Sequence, residues 1–208
     1  LSFNHSVKAR FGYTEDRAAE VALAFEHAGR AIELDPEFAW SHIAYAGALL
    51  ANFEFDAAVD AMRRALTIQP GGFETNLFMG FYLFRAEQAA LAIEHLKIAD
   101  NLGRVPTYRL LAFLGTSYFM NREYAESEAI WMQALERFGQ VRHNELYASL
   151  AAARIALGKP EEAAEAVALL KRINPKYRIT KARSLEGFKS EAFKRRLTEL
   201  AVKAGIPE

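Results

Sequence analysis

Two prolines 34 residues apart constrain the fold of this chain more than any other feature. Pro36 and Pro70 each close a similar phrase, AIELDP and ALTIQP. Proline cannot continue a helix, because it lacks an amide hydrogen and its ring clashes with the preceding turn. The spacing therefore predicts a repeated helical unit of 34 residues that ends near each proline.

Small side chains recur at fixed positions within this unit. A period of about 34 residues is that of tetratricopeptide (TPR) repeats, in which two helices pair. Close pairing needs small residues at the eighth, twentieth and twenty-seventh positions, and the block 39–72 places Ala46, Ala58 and Ala65 there. The pattern continues through repeats 73–107, 108–143 and 144–177. Upstream, we predict a half repeat over 14–38, with a helix from about Thr14 whose partner helix is missing or degraded.

Composition limits the class of protein. The 208 residues include no cysteine, 26 basic and 26 acidic side chains and 51% hydrophobic residues, so a disulfide scaffold and wholesale disorder are excluded. No apolar run approaches the roughly 20 residues that cross a bilayer, and the first ten residues lack a signal-peptide core. We expect a cytoplasmic protein. Because the chain begins at Leu1 rather than Met, we also expect it to be a piece of a longer protein.

The predicted fold is all-α. It is a right-handed superhelix of TPR type, built from antiparallel helix pairs and closed by a C-terminal capping helix. Residues 1–13 form an N-terminal lead-in, 14–177 the TPR array, and 178–208 a basic C-terminal segment. No stretch alternates with period two well enough to predict a strand.

Several phrases resemble the C-terminal TPR regions of bacterial class III adenylate and guanylate cyclases and of related winged-helix signalling regulators. They are Gly12-Tyr13-Thr14-Glu15-Asp16-Arg17, AIELDP, LAAARIALGKPEEA at 150–163 and LAVKAGIPE at 200–208. The resemblance implies a regulatory module attached to a signalling domain. The family often has a PFKDP stretch before its last helix, where this chain has Gly187-Phe188-Lys189-Ser190-Glu191.

Catalytic motifs are absent from the sequence. It contains no cysteine, no G-x-S-x-G and no S-x-x-K, and LGKPE at 157–161 lacks the residues that flank a P-loop lysine. Its five histidines, His5, His27, His42, His95 and His143, show no metal-ligand spacing. We therefore predict no catalytic residue, metal or cofactor, and no enzymatic activity.

Function in a solenoid usually resides on the concave face, which the first helix of each repeat lines. In this register that face is apolar and aromatic. The predicted partner-binding groove consists of Trp40, Ile43, Phe78, Phe81, Phe84, Arg85, Arg109, Phe113 and Phe119. Repeats that clamp acidic chaperone tails need Lys, Asn and Arg at positions where this chain has Ile43, Gly47, Leu77 and Phe81, so such tails are excluded as ligands.

The helix predicted from Phe73 is apolar around nearly its whole circumference and should be buried on all sides. A tight superhelix is one way to bury it. The other candidates are a partner protein or peptide, favoured as an amphipathic helix in the groove, a second copy in a homodimer, or the chain's own tail.

The tail is strongly basic. From Lys171 to Glu208 there are 11 Lys or Arg and 4 Glu, a net charge of plus 7. Phe188, Phe193, Leu197, Leu200 and Ala204 form an apolar stripe at helical spacing. We favour a capping helix over a nucleic-acid or anionic-membrane site, because no exposed aromatics are interleaved with the basic residues.

The sequence thus predicts a non-catalytic module for protein–protein interaction. It would regulate or oligomerise a linked signalling domain through the aromatic groove, with a protein, a peptide or a second copy as partner. The alternative is a small-molecule-sensing domain of a nucleotide cyclase or transcription regulator, which a closed apolar pocket would favour.

Overall fold

A computed structural model describes residues 1–11, 13–103, 105–139, 144–182 and 185–208. Over these ranges the chain forms helices and turns and no strand, which confirms the all-α prediction. Gly12, His143 and the predicted repeat boundary at 143 lie outside the described residues. The helices are α1 Ser2–Phe11, α2 Arg17–Leu34, α3 Ala39–Ala51, α4 Phe55–Ile68, α5 Phe73–Arg85, α6 Ala89–Leu102, α7 Tyr108–Met120, α8 Tyr124–Phe138, α9 Asn144–Ala156, α10 Pro160–Ile173 and α11 Glu191–Lys203.

Four helices begin at the first residues of the four predicted full repeats. They are α3, α5, α7 and α9, and each is followed by a turn and a second helix against which it packs. The residue at the fifteenth position of each repeat has a left-handed backbone, with φ of 62° at Phe53, 68° at Glu87, 66° at Arg122 and 74° at Gly158. This conformation ends one helix and reverses the chain within three residues.

The paired helices approach closely where the eighth residue of a repeat is glycine. A Cβ at Gly80 would lie 2.4 Å from Cγ of Leu96, and one at Gly115 would lie 2.6 Å from Cε2 of Trp131. Ser127, which stands where the repeat usually has alanine, is fully buried and donates its hydroxyl to the Gly115 carbonyl at 2.8 Å. A small residue at the eighth position therefore makes room for a bulky one on the second helix.

The N-terminal segment differs from the predicted lead-in. Residues 2–11 form α1, which packs against α2 and α3, so the partner of α2 is present. The sequence did not predict α1 as a helix of the array. Two of its buried positions hold Ser2 and Ser6, where a recognisable amphipathic helix would have apolar residues. Helix α2 begins at Arg17 rather than near Thr14, because the Asp16 carboxylate accepts the amide of Ala19 at 2.9 Å and caps the helix there.

Packing divides the chain into two compact units. Unit 1 comprises Leu1–Arg104 and Glu186–Lys189, and unit 2 comprises Val105–Leu185 and Ser190–Glu208. Unit 1 contains α1 to α6, with Ile43, Tyr82 and Phe84 fully buried. Unit 2 contains α7 to α11, with Phe119 and Tyr147 fully buried. In the described part of the chain, no helix is both long and apolar enough to cross a membrane.

Helix α11 corresponds to the predicted capping helix and packs against α9. The Ser190 hydroxyl caps it by accepting the Phe193 amide at 3.1 Å, so the helix begins at Glu191. Phe193, Leu197 and Ala201 form its buried face. Phe188 was expected on the same stripe, but it precedes the helix and belongs to unit 1.

Candidate protein-interaction site

Helix α5 is buried all round, as its sequence predicts. Every residue from Thr75 to Phe84 is buried, including three phenylalanines and Tyr82. Burial raises the pKa of the Tyr82 phenol to about 12. Segments of this same chain, described below, cover α5 on the face that the groove prediction concerns.

Helix α1 covers part of that face. The Phe3 ring meets the Phe78 ring edge-on, with centroids 6.1 Å apart, and the Arg10 guanidinium carbon lies 5.1 Å from the centre of the Phe81 ring. Ser6 approaches α3 at Gly47, where a Cβ would lie 3.4 Å from the Ser6 hydroxyl oxygen. A Cβ at that distance would make an ordinary van der Waals contact, so α1 lies close to α3 without requiring glycine at position 47.

The C-terminal segment covers the end of α5. Phe188 is 6% exposed, and its ring centroid lies 5.8 Å from that of Phe84. The Arg85 guanidinium carbon is 4.1 Å from the centre of the Phe188 ring. The Lys189 ammonium bonds both carboxylate oxygens of Asp56, at 2.7 and 2.9 Å. We call the surface formed by Asp56, Phe84 and Arg85 the Phe188 seat.

Two exposed aromatic side chains pack on α5 at Phe78, near the middle of the helix. Trp40 is 42% exposed and Phe3 is 39% exposed, and both rings pack edge-on against buried Phe78. The Trp40 and Phe78 centroids are 5.8 Å apart. We call Phe3, Trp40 and Phe78 the aromatic rim.

Helix α7 of unit 2 carries the other three predicted groove residues. On α7, Arg109 is exposed, Phe113 is half-buried and Phe119 is 1% exposed. Helix α11 covers Phe119, because the Phe193 ring meets it edge-on at 6.1 Å. Arg196 of α11 donates to the Met120 carbonyl at 2.9 Å.

The predicted groove residues thus fall into three groups. Trp40 and Arg109 are exposed, Arg85 and Phe113 are half-buried, and the others are buried, namely Ile43, Phe78, Phe81, Phe84 and Phe119. In unit 1 the structure brings Phe81, Phe84 and Arg85 together, and it brings Trp40 against Phe78. The buried side chains contact other parts of this chain, so a partner could touch them only after those parts move.

Polar contacts to Glu20 link α1 to α2. The His5 Nδ1 atom lies 2.5 Å from one Glu20 carboxylate oxygen, and the Lys8 ammonium lies 3.5 Å from the other. The hydrogen bond from His5 lowers the pKa of Glu20, more than partial burial raises it. At the far end of α1, burial and the charge of Arg10 together lower the pKa of Arg85, a side chain that stays protonated in proteins.

Three of the histidines contact aromatic or amide side chains. His5 stacks on His27 with centroids 5.4 Å apart, and His95 hydrogen-bonds to the side-chain oxygen of Asn76 at 3.0 Å. Burial lowers the pKa of His95. Across the described ranges, no three His, Asp or Glu side chains are grouped to hold a metal ion.

Sequence reasoning missed α1 and the position of Phe188. The position of Phe188 could have been predicted from the sequence. Ser190 followed by Glu191 is a capping sequence, which places the start of α11 after Phe188 and separates Phe188 from the helical stripe. Only the folded chain shows that Phe188 then packs against a residue more than a hundred positions earlier.

The similarity of this chain to known proteins lies in its structure. No protein-family model and no curated protein matches the sequence. The fold is similar to that of YrrB, described as a TPR protein with an unusual peptide-binding site, with a TM-score of 0.60, 18% identity and coverage of 85% of this chain and 90% of that one. It is also similar to PilW, a widely conserved type IV pilus biogenesis factor, with a TM-score of 0.71, 18% identity and coverage of 97% and 90%.

A third similar structure is MamA from Desulfovibrio magneticus RS-1. Its TM-score is 0.66 at 15% identity, and the match covers 76% of this chain and 88% of that one. These likenesses confirm the predicted TPR-type fold.

Proposed function

We propose that this chain is a non-catalytic interaction module that binds a segment of a partner protein at the aromatic rim and so regulates a linked signalling domain. The observation that carries the proposal is the exposure of Trp40. Tryptophan is enriched at protein interfaces and is prominent among the residues that dominate binding energy.

The surroundings of Trp40 support this role. Phe3 is exposed beside the same buried ring, so the rim presents two apolar side chains on a fixed base of Phe78. Rings held by packing lose little conformational entropy when a partner binds. A segment with an aliphatic or aromatic anchor would bury them. YrrB, which has a similar fold, is described as having a peptide-binding site.

In unit 2, the predicted groove residues with solvent-accessible surface are Arg109, which is exposed, and Phe113, which is half-buried. We propose them as a second contact region on α7, a helix whose buried Phe119 packs against α11. The resemblance of the phrases at 12–17, 150–163 and 200–208 to cyclase-linked regions favours a signalling enzyme or transcription regulator as the linked domain.

To test the proposal, the whole chain is used to select binding peptides from a displayed random library. The affinity of the selected peptides is then measured for the wild type and for two variants. Trp40→Ser removes the larger of the two exposed rings of the rim. Leu91→Ser removes a side chain of similar exposure, 45%, from α6 of the same unit. We expect the selected peptides to carry an apolar anchor and to bind Trp40→Ser at least about tenfold more weakly, with Leu91→Ser unchanged.

Full affinity in a correctly folded Trp40→Ser protein would contradict the proposal. Light scattering over a concentration series tests whether the rim instead mediates self-association of this chain. A full-length dimer that Trp40→Ser dissociates would assign the rim to self-association, the arrangement expected if the module pairs linked domains.

A second candidate function is small-molecule sensing. The observation that favours it is a cavity of about 170 Å³ in unit 2, lined by Val167, Leu170, Lys171, Asn174, Pro175, Tyr177, Ile206 and Pro207. Pockets for drug-sized ligands measure roughly 300–1,000 Å³, so this cavity would take only a smaller molecule. We therefore rank this function second.

A further inference from the structure

One side chain of the C-terminal segment is held against α5 as a bound ligand would be. Phe188 is 6% exposed, although the residues beside it, Gly187 and Lys189, are not buried. Its ring packs on Phe84, with an angle of 33° between the planes, and the Arg85 guanidinium covers it at 4.1 Å. A cation over an aromatic face is attracted by the ring's quadrupole, so this position favours an aromatic residue.

The following residue adds contacts of two further kinds. The Lys189 amide donates to the Arg85 carbonyl at 3.0 Å. Arg85 is the last residue of α5, where carbonyls lack a partner within the helix. The Lys189 ammonium meets the Asp56 carboxylate at 2.7 Å. The Phe188 seat thus recognises an aromatic ring, a main-chain amide and a positive charge.

Most of this segment is at least partly exposed to solvent. Phe188 is the buried side chain of Glu186–Lys189, and the Lys189–Asp56 pair has side chains 40% and 69% exposed. Exposed ion pairs contribute little to stability. Residues on both sides of the segment belong to unit 2. The segment therefore places one buried ring in unit 1, between flanking residues that belong to unit 2.

We propose that the Phe188 seat is a binding site for a partner segment in which an aromatic residue is followed by Lys or Arg, and that Phe188 and Lys189 occupy it in cis until that segment displaces them. The proposal rests on the interaction function proposed above and adds a regulated contact to it. A tethered occupant acts at an effective concentration on the order of millimolar, so the tail sets a threshold that a partner must exceed.

The experiment measures binding of a fluorescent peptide with the sequence of residues 185–190, LEGFKS, to the full-length chain by anisotropy. Phe188→Ala removes the aromatic ring of the occupant and leaves Asp56, Phe84 and Arg85 unchanged. We expect the peptide to bind Phe188→Ala at least about tenfold more tightly than the wild type, because the competing cis contact is gone. The matched control is Phe193→Ala, which removes an equally buried phenylalanine of the tail from unit 2 and should bind like the wild type.

Specificity is tested in the Phe188→Ala background. A peptide with Phe replaced by Ala should not bind. Asp56→Lys should weaken binding of LEGFKS, and a peptide with Lys replaced by Glu should recover it. Trp40→Ser should leave the affinity unchanged, so failure of the rim and failure of the seat are distinguishable.

Two results would overturn the proposal. One is a folded Phe188→Ala protein, judged by helical circular dichroism, that binds LEGFKS no better than the wild type. The other is a wild-type dimer that Phe188→Ala dissociates, because the occupant would then come from a second copy.

If Phe188→Ala does not fold, the Lys189→Glu variant is measured in its place. It places a carboxylate opposite Asp56, so that repulsion replaces the ion pair and weakens the cis contact, and unchanged binding by that variant would equally count against the proposal.

Discussion

Arg154 donates from Nε to a Glu128 carboxylate oxygen at 2.8 Å, and both residues are more than nine-tenths buried in unit 2. The same guanidinium donates to the Glu162 carbonyl at 2.8 Å. Lys159 completes the group by binding the other Glu128 oxygen at 2.7 Å. The pair therefore joins α8 to α9 and to the start of α10 with its polar atoms satisfied.

Arg154→Met should destabilise the protein strongly. Removing one member of a buried pair leaves the other charge uncompensated, which costs about 3–5 kcal/mol, and the remaining Lys159 contact should reduce the loss to about 2–3 kcal/mol. Urea unfolding measures the change. Arg63→Met, in an exposed pair with Asp60, is the control and should change stability by less than about 0.5 kcal/mol. An equal effect of the two changes would contradict this account.

Acid should weaken the same group. Burial raises the pKa of Glu128, but hydrogen bonds from Lys159 and Arg154 outweigh it, so its pKa lies below the ordinary value of 4.5. A lowered carboxyl pKa contributes stability that is present above 4.5 and is lost as the pH falls through the folded-state pKa. Between about pH 6 and about pH 3.5, the melting temperature of the wild type should fall more steeply than that of Glu128→Gln. Parallel curves would disprove the assignment.

Gly115→Ala should be destabilising by about 1–3 kcal/mol, because the added methyl would lie 2.6 Å from the Trp131 ring, itself 3% exposed. Gly29→Ala is the matched control. It lies within α2 with no atom within 4 Å of the added Cβ, and should stabilise by about 1 kcal/mol through helix propensity. Thermal unfolding of both variants gives the comparison, and a stabilised Gly115→Ala protein would show that the helices can separate freely.

Arg122→Gly should be stabilising by about 0.5 kcal/mol, because the backbone there has φ of 66°, which glycine adopts without steric cost. Arg63→Gly makes the same chemical change inside α4 and should cost about 1 kcal/mol. Opposite signs in denaturant unfolding are expected. Destabilisation by both would mean that the Arg122 side chain matters more than its backbone.

Removal of all residues after Tyr177 should promote association. The truncated chain lacks Phe188 and α11, so Phe84 in unit 1 and Phe119 in unit 2 lose their covering rings. Exposed apolar surface of this kind favours self-association. Light scattering should show a monomer for the full chain and larger species for the truncated one, while circular dichroism confirms retained helices. A truncated monomer at every concentration would contradict the prediction.

Local features of the sequence were enough to predict the repeated helix pairs. The small residues and helix-breaking prolines recur because of steric contacts within about 34 residues, and such contacts can be read from spacing alone. Helix α5 illustrates this well, since its apolar circumference predicted its burial. Helix α1 was not predicted, because its buried serines do not form an apolar stripe and depend on partners in other helices, as Ser2 does on the Ala24 carbonyl.

The identity of what covers α5 could not be predicted in this way. The sequence by itself determined that the aromatic face from Phe78 to Phe84 must be buried, because apolar surface of that size is unfavourable in water. Only the tertiary structure decided that α1 and Phe188 of the same chain bury it. Hydrophobic attraction has no direction. Burial of this face by a partner, by a second copy or by the tail is therefore equally consistent with the sequence. Long-range geometry selects among them, through the Arg85 carbonyl and the Asp56 carboxylate that bind Lys189.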